Sequence, residues 1–253
     1  MTPSWLARHS RRLGILVLAA ALTGCLQWLH AYQTYLQMSD FDRHFNVQAS
    51  DEFTLHFKEP RLYSSDFVAL AKLYPSEDLP LKDGRRWRYW FRKVGQDKQV
   101  LKPEIKFYSQ LVFNAEKKLT DWSFSGLFLE IAPPQFLEVS LRSIAGAEID
   151  KEKQSLRANT DHIGKITAPL PSKAAVLAKL GPPLKIEDEP EQEVYSYLFL
   201  LDTPRIEKGY EDNAVSEVKL TFAKNTQALI IMAGKFAGLK VSIDYRKFLQ
   251  AAQ

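Results

Sequence analysis

Hydrophobic positions along this chain change their period several times. Ser65-Asp66 precedes the apolar run FVALAKL and Ser172 precedes KAAVLAKL, so each run has an N-cap candidate ahead of a helical pattern. Pro75 and Pro182-Pro183 then stop the two helices. The period next drops to two: Trp87, Tyr89 and Phe91 point one way, and Arg86, Arg88, Trp90 and Arg92 the other, as a strand requires. Runs rich in aromatic and β-branched residues predict further strands at 106–113, 119–124, 127–131, 194–201, 216–222, 228–233 and 239–243.

The chain is also similar to itself. Leu-Ala-Lys-Leu-Tyr-Pro at 70–75 matches Leu-Ala-Lys-Leu-Gly-Pro at 177–182, and Trp87-Arg88-Tyr89-Trp90-Phe91 lies over Tyr195-Ser196-Tyr197-Leu198-Phe199. Further along, Leu111-Val112-Phe113 lies over Leu220-Thr221-Phe222, and FSGLFLEIAPPQFL from Phe124 over FAGLKVSIDYRKFL from Phe236. Collinear blocks with slowly growing offsets read as a tandem duplication. The expected fold class is α+β: two tandem repeats, each a helix followed by an antiparallel meander of three to four strands, with helices on one sheet face. The expected division is 1–24 signal peptide, 25–50 lipidated Cys and membrane-proximal helix, 51–145 first repeat, 146–168 linker and 169–253 second repeat.

LAKLGPP followed by VYSYLF, within residues 172–245, resembles the units of small outer-membrane lipoproteins of the BamE type and of β-lactamase inhibitor protein. The first copy, with LYPSED, lacks the glycine. That resemblance implies a binding or assembly role. Positions repeated in both copies should face the helices: Tyr89 and Tyr197, Phe91 and Phe199, Leu111 and Leu220, Phe113 and Phe222. The opposite face then carries Arg88, Trp90, Arg92, Gln110 and Val112 in the first copy, and Ser196, Leu198, Leu200, Lys219 and Thr221 in the second. Large apolar groups such as Trp90 and Leu198 on such a face suggest a partner surface.

The N-terminus changes the picture of where the chain works. Arg8, Arg11 and Arg12 precede LGILVLAAA at 13–21, and Leu22-Thr23-Gly24-Cys25 follows, in signal-peptide order. The four residues 22–25 resemble the lipobox of bacterial lipoproteins, which implies acylation of Cys25, and Leu26 after it implies the outer membrane, with the inner membrane as the fallback. An uncleaved span through Cys25 is the competing reading, since no Asp, Glu, Lys or Arg occurs from Leu13 to Ser39. Gln27, His30, Gln33 and Gln37 oppose it, because each would need a partner in hydrocarbon. Behind the Cys, Trp28, Tyr32 and Tyr35 fall at i, i+4 and i+7, an aromatic stripe suited to the headgroup zone.

Composition adds limits rather than chemistry. The chain has 253 residues, 45% hydrophobic and 25% charged, the balance of a packed protein rather than a disordered one. One Cys forbids an internal disulfide and a thiolate zinc cluster. Three of the 34 basic side chains are the N-terminal arginines, and the rest balance 30 acidic ones to within one charge, so nucleic acid is not an expected partner. KDGRRWRYWFRK nevertheless concentrates Lys82, Arg85, Arg86, Arg88, Arg92 and Lys93, whereas the matching stretch of the second copy carries Glu187, Asp188, Glu189, Glu191 and Glu193. The expected partner-binding residues are Arg85, Arg86, Arg88, Trp90, Arg92 and Leu198, with the two clusters as recognition edges of opposite sign. His44, His56 and His162 are isolated and form no metal-spaced pair, so no metal or cofactor is expected; Asp161-His162 is the one adjacent acid and base. The sequence therefore reads as a noncatalytic envelope lipoprotein, a protein-binding or assembly module at the periplasmic face of the outer membrane. The alternatives are an inhibitor or capture protein using a concave sheet, and an envelope hydrolase without a recognisable motif.

Overall fold

The computed structural model describes residues 27, 29–145, 147–150, 155–157, 160, 163–236 and 239–250. Cys25, Trp28 and the Asp161-His162 pair lie outside them. Helix α1 covers 29–37 and passes through a short 3-10 turn into α2 (Phe41–His44). A hairpin of β1 (Phe45–Ala49) and β2 (Phe53–Phe57) follows, then α3 (Ser64–Ala71) and the strands β3 (Glu77–Leu81), β4 (Gly84–Lys93), β5 (Lys106–Asn114) and β6 (Leu119–Phe124). Helices α4 (Gly126–Leu129) and α5 (Pro134–Arg142) lead into a small hairpin of β7 (Glu148–Asp150) and β8 (Ser155–Arg157). The chain ends with α6 (Lys173–Leu180) and β9 (Lys185–Asp188), β10 (Gln192–Asp202), β11 (Val215–Ala223), β12 (Leu229–Phe236) and β13 (Leu239–Asp244).

All strands but β7 and β8 join one antiparallel sheet of eleven, in the order β1-β2-β6-β5-β4-β10-β11-β12-β13, with β3 on β4 and β9 on β10. This corrects the expected fold class. The strands do not form two helix-plus-meander repeats with a sheet each; they form one curled, mostly antiparallel half-barrel. The reason is the pairing of β4 with β10, in which Phe199, Leu200, Leu201 and Asp202 lie opposite Lys93, Arg92, Phe91 and Trp90. A second correction concerns 127–131, expected as a strand. Residues Gly126–Leu129 are helix α4 instead, because β2 already occupies the edge of β6 that a following strand would need. On the other side of the sheet that edge is free, and β13 takes it.

The internal similarity is expressed as register. β10 lies opposite β4 symmetrically about Arg92 and Leu200, since Lys93 meets Phe199 and Phe91 meets Leu201. The β5–β6 and β11–β12 ladders slip at Val112/Phe113 and at Thr221/Phe222, positions that the sequence alignment superimposes.

All eight positions expected to face the helices are buried, from Tyr89 and Phe91 to Leu220 and Phe222. They belong to a core organised around phenylalanines. Phe107 on β5 stacks on Phe91 at 5.0 Å and meets Phe199 at 5.0 Å, Phe128 of α4 at 5.7 Å and Phe236 at the end of β12 at 6.0 Å. β5 and β12 are four strand spacings apart, about 19 Å along a flat sheet. Contact between their rings means that this face is concave, and the helices fill it: Phe67 of α3 packs on Phe113, and Val176 and Leu180 of α6 are buried.

Lys93 continues the buried side of β4, and its side chain is 2% exposed. Its ammonium donates to the carbonyls of Leu180 at 2.5 Å and Pro182 at 2.7 Å and sits 5.1 Å from the ring of Tyr197. The cation thus caps the negative end of α6, and burial holds its pKa below the ordinary lysine value. Gly181 completes this exit with φ +65°, where a Cβ would lie 3.5 Å from the lysine Nζ. Caps differ between the two main helices: Ser172 accepts from the Ala175 N–H as expected, but α3 starts earlier, at Ser64, with the Asp66 carboxylate accepting from the Tyr63 N–H at 2.8 Å.

Two tests follow from this packing. Gly181→Ala should lower stability by about 1–3 kcal/mol through backbone strain, read in urea unfolding, while Gly164→Ala, where a Cβ meets nothing within 4 Å, should not. Burial raises the pKa of Tyr89 and Tyr245 above the ordinary tyrosine value of 10.0. Below that pH both states are neutral and the stability is intact; above it only the unfolded chain ionises. Stability should therefore fall as pH rises past 10, with a slope of up to about 1.4 kcal/mol per pH unit for each of these tyrosines. Unfolding midpoints measured from pH 8 to 11 check this, and a flat profile would contradict it.

Candidate functional site

The face of the sheet turned away from the helices is built by alternate residues of β4, β5 and β10. Arg88, Trp90 and Arg92 of β4 stand there, and the register sets Gln110, Tyr108 and Lys106 of β5 directly beside them. Trp90 and Tyr108 meet edge to face at 4.8 Å. The Arg88 guanidinium lies 4.4 Å from the Tyr108 ring and 5.5 Å from Trp90, and Lys106 lies 4.9 Å from Trp90 on the same strand pair. Arg88 also donates twice to the Gln110 carboxamide oxygen, at 2.6 and 3.2 Å. The Trp90 indole N–H donates to Glu77 of β3 at 2.8 Å, and the Tyr108 hydroxyl donates to Glu52, which precedes β2. Burial, and next that carboxylate, push the Tyr108 pKa up to about 12. Two rings and the Arg88 cation are therefore held by polar partners from Glu52, β3 and β5, with the exposed Lys106 beside the Trp90 ring.

The charge picture differs from the one the local sequence suggests. Arg85 lies on the other side of β4, exposed beyond the helices, and makes a bidentate pair with Asp78 at 2.7 and 2.8 Å. That bond holds its pKa above the usual guanidinium value. Arg92 binds Asp202 at 2.6 Å and approaches Glu104 at 3.5 Å. Arg86 is half-buried, and its Nε has no partner among the described residues. Lys93 is buried, as described above. Three acids of the acidic stretch are likewise paired, Glu187 with Lys185, Asp188 with Lys224 and Glu193 with Lys173. Part of each cluster is thus paired within its own hairpin, as Arg85 with Asp78 and Lys185 with Glu187, and part with other segments, as Arg92 with Asp202 and Glu193 with Lys173.

Leu198 is half-buried at the far end of the same face, where its carbonyl accepts from the N–H of Val94, a residue with no exposed surface. Of the aromatic stripe, Tyr32 is 48% exposed, while Tyr35 turns inward and donates its hydroxyl to the Ala147 carbonyl at 2.8 Å. His44 and His56 stand 3.3 Å from Glu59 and 2.8 Å from Asp121. Among the described residues no three His, Cys, Asp or Glu side chains are grouped to hold a metal, and no helix is long and apolar enough to cross a membrane.

Sequence reasoning did not single out Tyr108 or Lys106 and placed Lys93 only in the basic cluster, although extending the period-two alternation would assign their faces. Glu52, Glu77 and Asp202 come from distant segments and left no local signal. No protein-family model matches the chain, and no curated protein or solved structure is significantly similar to it.

The geometry separates two arginines that look alike in sequence. Arg88→Ala should destabilise by about 1–2 kcal/mol, because it removes the cation stacked on Tyr108. Arg85→Ala should leave the unfolding midpoint unchanged, since an exposed pair contributes little. Thermal unfolding of the two variants side by side decides it; equal losses would mean that the stacking is unimportant.

Proposed function

We propose that this chain is a noncatalytic envelope lipoprotein, tethered through acylated Cys25 at the periplasmic face of the outer membrane, that works as a protein-binding or assembly module. The observation that carries the binding role is the braced outer face, where Trp90, Tyr108 and Arg88 stand half-exposed on rigid strands. These are the residue types that dominate binding energy at protein interfaces, and side chains held in place before contact lose little entropy on docking. The concave side is packed with phenylalanines and helices, which favours the outer face over capture within a concave sheet.

The tether is supported by Leu22-Thr23-Gly24-Cys25 and by α1. Residues 29–37 pack on the body, with Tyr35 bonded to Ala147 and Gln37 to Glu59, and so are not free to cross a bilayer. That leaves 13–28 for any retained span, about 24 Å as a helix against a core of about 30 Å. Cleavage before Cys25 is the simpler outcome.

Two measurements test the proposal. A palmitate analogue should label the wild type and not Cys25→Ala; an unlabelled wild type removes the tether. A photo-crosslinking residue at Lys106, beside Trp90, should capture an envelope protein in intact cells, and Trp90→Ala with Arg88→Glu should abolish the adduct. An adduct that persists in the double variant, or none in the parent, would refute recognition by this face.

A further inference from the structure

Helix α1 has two faces of opposite character. Toward the body, His30 Nδ1 stands 3.0 Å from Asp66 Oδ2, the Tyr35 hydroxyl reaches Ala147, and the Gln37 amide donates to the Glu59 carbonyl at 2.9 Å. Thr34, Gln37 and Met38 are buried on that side. These bonds come from three separate segments and fix the rotation of the helix. On the other side Leu29, Tyr32 and Leu36 are 46%, 48% and 50% exposed. At 3.6 residues per turn they fall within an arc of about 60°. The surface continues onto α3, where Leu70 is 48% exposed and joins Ala31, Tyr35, Met38 and Phe67 in lining a shallow apolar groove between the helices. Within 29–37 and Ser64–Ala71 the side chains that can carry charge near neutral pH are His30 and Asp66, and they face each other. The exposed surface of both helices is therefore uncharged, which is unusual for helices turned to water.

The chain ahead of α1 indicates what covers this surface. The apolar stretch 13–21 and Cys25 precede it, and Cys25 is four residues before Leu29. Four residues span at most about 14 Å even when fully extended. Hydrocarbon attached at Cys25 thus keeps α1 at the headgroup layer, and the face that it meets there is apolar, uncharged and fixed. One acyl attachment alone binds a membrane weakly, so a second contact matters. We infer that Leu29, Tyr32 and Leu36, with Leu70 beside them, rest in the boundary between headgroups and acyl chains of the bilayer. This inference rests on the tether proposed above; of the expected aromatic stripe it retains Tyr32, while Tyr35 lines the groove with its hydroxyl turned to Ala147 and Trp28 lies outside the described residues.

The test uses the full chain with Cys25 intact, isolated from envelopes and reconstituted in vesicles of phosphatidylethanolamine and phosphatidylglycerol containing a shallow spin-labelled lipid. An environment-sensitive fluorescent amino acid is placed at Tyr32 or Leu36, and as controls at Leu79 of β3 or Ile186 of β9, which are also exposed and apolar. Circular dichroism verifies the fold of each variant. Flotation of the chain with the vesicles reads the tether by itself. The expected result is a blue-shifted emission at 32 and 36 that the spin-labelled lipid quenches, with neither effect at 79 and 186. Chains that float but show water-like emission at 32 and 36 overturn the inference while leaving the tether in place. A blue shift without quenching also overturns it, because a protein or a second copy of the chain would then be the cover. Chains that do not float overturn the tether and the inference together.

Discussion

The junction of β4 with β10 holds the molecule together. Only four residue pairs form it, yet every strand on either side reaches the rest of the sheet through those pairs. It is reinforced on both faces. On the concave side Phe91 and Phe199 both pack against Phe107, and Lys93 reaches beneath to the carbonyls that end α6. On the outer side Arg92 crosses the junction to Asp202. A buried ammonium with no carboxylate beside it is costly unless its protons are satisfied. Here two backbone carbonyls and the Tyr197 ring do so, and they can only do so if α6 ends where Gly181 turns the chain. The position of a helix is in this way tied to the register of a strand pair far from it in sequence.

The same junction explains how similar sequence can end in different structure. FSGLFLEIAPPQFL and FAGLKVSIDYRKFL share their apolar spacing, but the first folds as α4 and α5 and the second as β13 followed by a short 3-10 turn. What differs is the neighbour. β6 has its outer edge paired by β2, so the residues after it cannot satisfy their backbone groups in the sheet and must do so within a helix. Gly126 allows the turn, since a Cβ there would meet the Asp51 carbonyl at 2.8 Å, and Pro134 is placed at the start of α5. The two segments then meet, with Tyr245 bonded to the Ile131 carbonyl and packed on Phe136.

Local chemistry was legible in the sequence where it depended on period or capping. The alternation through Trp87, Tyr89 and Phe91 assigned both faces of β4 correctly, and extended by one step it would have buried Lys93. Ser172 was read as the cap that it is. Partners across strands were not legible. Arg85, Arg88 and Arg92 look like part of one basic patch until Asp78 and Glu77 of β3, and Asp202 after the junction, are set beside them, because pairing depends on register and register depends on the whole sheet. The strand expected at 127–131 failed for the same reason: its fate was decided by the hairpin at Phe45–Phe57, which was not among the expected strands although FTLHF at 53–57 alternates apolar and polar residues.

These non-local pairings also constrain how recognition on the outer face can work. With Arg88 and Arg92 paired to acids, the field of that face is weaker than its cations suggest, so the recognition proposed above would rely more on the shape and stacking of Trp90, Tyr108 and Arg88 at contact. Contact then has to be arranged by position. α1 packs on α3, and α3 packs through Phe67 on the concave side of the sheet, so α1 and the outer face lie on opposite sides of the molecule. Under the tether and membrane contact proposed above, the braced aromatic face would be directed away from the lipid. A tether that fixes orientation as well as location would make up for weak long-range attraction, because a surface already aimed at its partner loses less rotational freedom when the two meet.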